Sequence, residues 1–324
     1  MDLININCIF CHDSKHPIVI QENNFDGKRC NKCNLIYISP RPSLNDIIDL
    51  YGHDDANLSA ESHIATSYRN KLYARHNLRI IKIYVDKGKL LEIGPGSGEF
   101  LNEARLNGFN SFGLELNKIQ ASYIRNNLKI PCEESTIMDS SYENNSFDII
   151  YHCDVVSHFF NPIEEFKQMN KKLKSKGLVV FETGNLGDVN SKYYKHFERF
   201  QYPDHLFFFG EKSILKMLNL TGFKIIKIHR YSILPQLRFL NITRNLILFI
   251  LKFFIKKNDL GNNKQSKQRK SKHNKKSRIS LKKIVKLFLR NSYFIVLYII
   301  RYYVGFFNSK LDTPQTIVII AKKE

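Results

Sequence analysis

The stretch that most constrains this chain runs from Lys89 to Leu101, reading Lys-Leu-Leu-Glu-Ile-Gly-Pro-Gly-Ser-Gly-Glu-Phe-Leu. Leu90 to Ile93 reads as a buried parallel strand, and helical spacing resumes from Glu99 to Asn107. Between them Gly94, Gly96 and Gly98 stand at alternate positions, with Pro95 after the first. Glycine suits such a turn because the backbone bends sharply and can approach a ligand with no Cβ in the way. The helix that follows adds free N–H groups. This is a loop of the nucleotide-binding type. A dinucleotide fingerprint, G-x-G-x-x-G, needs its third glycine one residue later, where Glu99 stands. Glu92, just before the loop, would also serve a pyrophosphate poorly. An acid there suits a cationic ligand.

A chain of 324 residues can hold one large or two modest domains around a real core. Its net charge of +20 is uneven: from Lys252 to Lys286 there are 14 Lys/Arg against the single acid Asp259. The basic character therefore belongs to one segment and not to the fold. Met1-Asp2-Leu3-Ile4-Asn5 shows no secretory pattern, and no run reaches the roughly 18 apolar residues of a spanning helix. A cytoplasmic, reducing setting is expected. In that setting Cys8-x2-Cys11 and Cys30-x2-Cys33, 18 residues apart, read as a four-thiolate site for structural Zn²⁺. Four thiolates close the coordination sphere, so no catalysis by the metal is expected. Residues 1–45 form the zinc ribbon, a stretch with few large core residues that needs such a staple.

The rest alternates. Asn45 to Tyr51 and Ser59 to Tyr84 read as helices, a connector over 46–87. Tyr68, Arg69, Tyr73 and Arg75 on the second could cover a pocket or be ordinary helix-face residues. Ser111 to Glu115 is a second strand ending in an acid, and an acid there can accept both ribose hydroxyls. A helix (Ile119 to Asn127), a strand or its approach (Pro131 to Met138) and a strand (Phe147 to Cys153) follow. Then come a helix (Pro162 to Leu173) and a strand (Leu178 to Thr183). Such alternation builds a parallel sheet with helices on both faces. Ligands bind outside the carboxyl ends of its strands, where Gly94–Gly98, Glu115 and Asp154 would converge.

Over Lys89 to about Tyr231 the chain resembles the class I S-adenosylmethionine (SAM)-dependent methyltransferases. The resemblance rests on Leu-Glu-Ile-Gly-Pro-Gly-Ser-Gly, Gly-Leu-Glu-Leu-Asn (113–117) and Asn-Ser-Phe-Asp-Ile-Ile (145–150). It also rests on Asp-Val-Val-Ser-His (154–158) and Leu-Lys-Ser-Lys-Gly (173–177). It implies Glu92 and the backbone of Gly94, Pro95, Gly96 and Gly98 near the methionine moiety, and Glu115 with Leu116 at the ribose. Ile137 and Met138 would flank adenine, with Asp154 at the pocket wall; Thr136 replaces the usual acid before the adenine position. His152 and His158 would flank the site, His158 as a packing or capping residue. Gly222 to Ile228 alternates as a sixth strand and Thr316 to Ala321 reads as a final one; the resemblance implies that these last two pair antiparallel. The core would then be 88–231 with its last strand in 313–324, and 232–312 an insertion. The expected fold is α/β: a Rossmann-like parallel sheet with an antiparallel last strand, plus a small N-terminal zinc ribbon and a helical basic insertion.

A zinc ribbon before this fold is similar to methyltransferases of bacterial sugar and surface-glycan pathways, including sugar C-methyltransferases. Their Tyr-x-Glu-His segment is matched by Tyr202-Pro203-Asp204-His205. The resemblance implies His205 as a base oriented by Asp204, with Tyr202 beside it, and a sugar, glycan precursor or other small acceptor. Asp replaces Glu, and the long second half of the C-methyltransferases is missing, so O-, N- and C-methylation all stay open. His205 could also be a turn residue before the helix at Ser213 to Leu220. A nucleic-acid (tRNA or rRNA) methyltransferase is the competing enzyme class. However, residues 154–158 lack the Asn/Asp-Pro-Pro-aromatic element, and the basic run lacks interleaved aromatics. An inactive zinc-anchored scaffold is disfavoured by the intact loop and Glu115.

Within the insertion, Asn245 to Ile255 is apolar, Asn258 to Lys276 is basic and polar, and Leu281 to Phe307 is rich in aromatics. Two apolar helices joined by a polybasic loop fit an in-plane anchor on an anionic membrane, at the inner face of the cell membrane. The same stripe would suit packing on the domain or on a second subunit of an oligomer.

Overall fold

A computed structural model describes residues 2–52, 67–259, 281–310 and 313–324. The expected start of the connector helix (59–66) and the basic stretch 260–276 lie outside these residues. The N-terminal module contains β1 (Leu3–Ile4), β2 (Ile18–Glu22), β3 (Phe25–Arg29), β4 (Ile36–Ile38) and β5 (Arg41–Pro42). Helices α1 (Leu44–Gly52) and α2 (Ser67–Ile81) lead into β6 (Gly88–Ile93), the strand before the glycine loop. Then follow α3 (Glu99–Leu106), β7 (Phe109–Leu114), α4 (Lys118–Tyr123), β8 (Cys132–Glu133) and β9 (Phe147–Cys153). Next are α5 (Pro162–Lys172), β10 (Leu173–Gly184), β11 (Phe207–Phe208), α6 (Glu211–Leu220) and β12 (Phe223–Ser232). The insertion contributes α7 (Leu234–Asp259) and α8 (Leu281–Ile299), and β13 (Gln315–Lys323) closes the fold.

The main sheet has seven strands in the order β12-β13-β10-β9-β6-β7-β8. Strands β10, β9, β6, β7 and β8 run parallel, and β13 lies antiparallel between β10 and β12. This is the expected Rossmann-like sheet with its antiparallel strand. The order reverses at β6, and open α/β sheets bind ligands outside the carboxyl ends of the strands at such a point. The third strand is shorter than the sequence suggests, only Cys132–Glu133, because Thr136 draws its own segment into a turn by accepting from the N–H groups of Met138 and Asp139.

Alternation along the strands sends two apolar sets to opposite faces. Leu91, Ile93, Ile150, Val179, Phe181 and Ile319 share one core with Phe166 and Met169 of α5, with α6, and with Leu35 to Ile38 of the N-terminal module. Leu90, Ile149, Tyr151, Val180 and Ile320 form the other with α2, α3 and Tyr298 and Tyr302 of the insertion. Both appendages thus share the central sheet's cores. Helix α5 shows why these segments are helical: Pro162 occupies its first turn with Glu164 and Glu165, and Lys171 and Lys172 end it, each sign on its favourable dipole end.

One expectation changes here, and one alternative is divided. His152 does not flank the crevice. Strand alternation turns it into the first core, stacked on Phe181 and edge-on to Phe159 and Phe166, and burial pulls its imidazole down to about 3. The aromatic residues of the insertion, for which membrane contact and packing on the domain were both open, are divided between core and surface. Tyr298 and Tyr302 are buried against His76 and Tyr231, with His76 stacked 3.7 Å from Tyr302. Phe288, Leu289, Ile299, Tyr303, Phe306 and Phe307 stay exposed. Among the described residues, no helix is long and apolar enough to cross a membrane.

Candidate active site

The register of the sheet brings the predicted cofactor residues together. Gly94 N–H donates to the Leu114 carbonyl (2.8 Å), Glu115 N–H to the Glu133 carbonyl (3.0 Å) and Asp154 N–H to the Glu182 carbonyl (2.9 Å). The ends of β6, β7, β8, β9 and β10 are therefore level, and Glu92, Glu115 and Asp154 share one rim. Gly94, Gly96 and Gly98 all have left-handed backbone, φ 65°, 55° and 74°. Their surroundings differ. A Cβ on Gly94 would lie 2.7 Å from Val155, and one on Gly98 2.7 Å from Leu128. A Cβ on Gly96 would meet only Gln120 Nε2, at 3.8 Å. Gly96 is thus the glycine that faces open space. Pro95 is the residue whose carbonyl accepts from Gly98 N–H, which tightens the loop.

Glu92 is buried on β6, and its Oε2 meets no hydrogen-bond donor. Burial holds its carboxyl well above the usual range, with Glu115 adding to the effect and the Leu101 N–H opposing it. Glu115 accepts from Gly96 N–H and Asn117 N–H, both at 2.9 Å, and burial also raises its carboxyl. A buried carboxylate oxygen without a partner invites a donor or cation. Leu116 (47% exposed) and Met138 (46%) are large apolar side chains left uncovered after β7 and β8, while Ile137 is buried. Helix α2 covers the loop through Asn70, which donates to Ser97 Oγ (3.3 Å).

Asp154 is exposed, yet the protein around it is dense enough to disfavour its charge. That crowding pushes its carboxyl up to about 6; Glu182 adds, while Arg301 and His158 oppose. Across the cleft, Asp204 pairs with His158 and not, as its place in the sequence suggests, with its neighbour His205. Its Oδ1 lies 3.1 Å from His158 Nδ1. The two imidazoles meet edge to face at 4.6 Å. His205 is pulled down to about 4 by burial and by His158, which keeps it neutral near pH 7, and its Nδ1 has no partner. Tyr202 points elsewhere: its hydroxyl occupies the space beside Gly27 of β3, where a Cβ would lie 2.1 Å away.

Several site residues were not singled out from sequence. Glu22 accepts the N–H groups of Phe200 and Tyr202, both at 2.8 Å, and Asn23 donates to the Tyr202 carbonyl (2.7 Å). Strand β11 pairs with β4, with Phe207 opposite Tyr37. The N-terminal module therefore holds the segment that carries Asp204 and His205. Its four cysteines converge. Their sulfurs lie within 4.8 Å of one another, with Cys8 and Cys33 3.6 Å apart. Bonds of about 2.3 Å to a tetrahedral zinc would place sulfurs about 3.8 Å apart, so the set fits Zn²⁺. Lys216 donates to Cys11 Sγ (3.3 Å), a cation suited to the excess charge of four thiolates.

A family described as a methyltransferase domain matches residues 65–228, which contain the glycine loop, Glu115, Asp154 and the histidine cluster. The chain belongs to this family. The chain is 24% identical over 149 residues to a ubiquinone biosynthesis O-methyltransferase of Rickettsia bellii, a match covering 42% of this chain and 62% of that one. The chain thus spans less than two thirds of the length of the curated relatives it matches. Among solved structures it is similar to phosphoethanolamine N-methyltransferase 2 of Haemonchus contortus (17% identity, 89% and 62% of the two chains, TM-score 0.48). It is also similar to a SAM-dependent methyltransferase of Archaeoglobus fulgidus (18%, 79% and 94%, TM-score 0.44).

Proposed function

We propose that this methyltransferase acts on a small acceptor, such as a sugar or glycan precursor, with His205 taking the acceptor's proton. The observation that carries this reading is the neutral, partly buried imidazole of His205, whose unpartnered Nδ1 sits beside His158 and Asp204. SAM, when bound, supplies a methyl group already activated for in-line displacement. The chain's own residues bind and align. Glu92 would receive the cationic methionine end, the open backbone at Gly96 would lie along it, and Glu115 would turn from Gly96 N–H to the ribose hydroxyls. Leu116, Ile137 and Met138 would line the adenine, and Asp154 would close the wall. On the acceptor side, Asp204 orients His158, and His158 packs His205 in place. Tyr202 supports this segment from within the N-terminal sheet. The similarity to an O-methyltransferase favours a hydroxyl acceptor. The test is transfer of labelled methyl from SAM to a panel of sugar nucleotides and small phenols. With an acceptor so found, His205→Ala should lower kcat by about 10²- to 10⁴-fold, the usual worth of a positioned base, with SAM affinity unchanged. An unaltered kcat in that variant would remove His205 from the reaction.

In the same reading the four cysteines hold one structural zinc, and the N-terminal module (1–45) and the insertion (232–312) flank a core at 88–231 and 313–324. The exposed apolar face around Phe306 and Phe307, preceded in the sequence by a segment of high positive charge, rests on an anionic membrane. Flotation with phosphatidylserine vesicles at low salt tests this. The full chain should float, and Phe306→Ser/Phe307→Ser should float less. If the chain stays at the bottom, or the variant floats equally, the face is not a membrane contact; concentration-dependent dimers would assign it to a second copy.

A further inference from the structure

The three side chains grouped on the acceptor side also suit a ligand of another kind. His158, Asp204 and His205 each offer one donor atom, and these atoms lie within 4.8 Å of one another. Among the described residues, the only other such group is the four cysteines of the N-terminal module. The tightest pair is His158 Nδ1 and Asp204 Oδ1, 3.1 Å apart. Donors about 2.0–2.1 Å from one ion stand roughly 2.8–3.4 Å apart, from octahedral to tetrahedral geometry. This pair therefore already has the separation that a shared ion sets. The His205 ring meets His158 edge to face at 4.6 Å, and its Nδ1 is buried and takes no hydrogen bond from the protein.

The backbone holds the group together. Leu206 N–H (2.8 Å) and Phe207 N–H (3.2 Å) both donate to the Ser157 carbonyl, which ties the segment of His205 to that of His158. His205 N–H donates to the Gln201 carbonyl (3.1 Å), and β11 pairs with β4 on the other side. Two imidazoles are thus fixed by their segments. Asp204, with 45% of its side chain exposed, is the donor with room to follow an ion.

The donor set selects the class of ion. Two imidazoles and a carboxylate suit Zn²⁺, Co²⁺ or Ni²⁺, whereas Mg²⁺ prefers oxygen donors and keeps its waters. Three protein donors also leave a coordination position open, unlike the four thiolates. We propose that His158, Asp204 and His205 form a second, exchangeable site for a divalent transition ion, and that an ion bound there inhibits methyl transfer. The inhibition rests on the reading of His205 as the base, because the ion takes the Nδ1 lone pair that must receive the acceptor's proton. Binding of the ion does not depend on that reading.

The experiment is titration of Co²⁺ into the zinc-replete full chain, followed by calorimetry and visible absorption. A further Co²⁺ should bind with the spectrum of a nitrogen- and oxygen-ligated ion and without a thiolate charge-transfer band. His205→Ala and Asp204→Ala should each weaken that binding at least about tenfold, and excess Mg²⁺ should not compete. Asp204→Ala, at an exposed position, decides the matter if His205→Ala fails to fold. With an acceptor in hand, added Zn²⁺ should depress transfer, and a chelator too weak to strip the cysteines should restore it. Absence of the further Co²⁺, a thiolate band, or unchanged affinity in Asp204→Ala would overturn the site. Transfer that is unaffected or stimulated by saturating Zn²⁺ would overturn the inhibitory role. An unaltered kcat in His205→Ala would instead remove the base and leave the metal site standing.

Discussion

Gly96→Arg should abolish SAM binding while leaving a folded protein, and Gly98→Ala should do nearly the reverse. The two glycines look alike in sequence, but their neighbours differ. A side chain on Gly96 enters open space, with Gln120 Nε2 the nearest atom at 3.8 Å, so its main structural cost is a left-handed backbone, about 1–2 kcal/mol. The arginine then projects into the volume beside Glu92 and Glu115 with a positive charge of its own. Binding should fall by more than about 100-fold, roughly 2.7 kcal/mol. A methyl on Gly98 would instead press on Leu128 (2.7 Å) and Ile124 (2.8 Å), overpacking that typically costs about 1–3 kcal/mol of stability. Calorimetry and thermal melts on both variants separate the effects. SAM affinity in Gly96→Arg within about threefold of wild type would be incompatible with a cofactor at the loop.

Removing the zinc should disable the acceptor side and spare the cofactor side. The N-terminal module has little core of its own, and three of its four cysteines are fully buried. Structural zinc contributes about 10–16 kcal/mol to small domains of this kind, so Cys30→Ser or prolonged chelation should unfold the module. That module supplies Glu22, which fixes Phe200 and Tyr202, and β4, which pairs with β11. Losing it frees the segment carrying Asp204 and His205, and kcat should fall by at least about 100-fold, toward the loss expected for a missing base. Glu92, Gly96 and Glu115 lie on the central sheet and its loop, so SAM affinity should change by less than about threefold. Metal analysis should find about one zinc per chain. Metal-free protein with full activity would show that the cysteines do not serve this purpose.

What could be read from the sequence was local. The glycine loop, the acid after β7 and the cysteine pairs are each read from residues a few positions apart, and the structure puts the loop at the end of β6, Glu115 just after β7 and the four sulfurs together. The strand and helix order followed from apolar runs, because a parallel sheet buried on both faces needs them. Long-range pairing was not legible. That Asp204 bonds His158, 46 residues away, and not the adjacent His205 depends on how two loops meet. That Tyr202 lies against Gly27 depends on β11 joining the N-terminal sheet. The insertion shows the limit best. Its aromatic stripe left a membrane face and packing on the domain both open, and the helical phase that buries Tyr298 and Tyr302 and leaves Tyr303 and Phe307 exposed includes a π turn that no periodicity announces.

The claim on which everything else depends is that SAM occupies the crevice with its cationic end at Glu92. Calorimetric titration of SAM into the full chain and into Glu92→Gln tests it most directly. The buried Oε2 of Glu92 has no donor in the protein, so a bound cation should be what it serves. Saturable single-site binding to the wild type, weakened at least about tenfold by the neutral, nearly isosteric glutamine, is the predicted result; tenfold corresponds to about 1.4 kcal/mol. No binding to the folded, zinc-replete wild type, or equal affinity in the two proteins, would contradict the account.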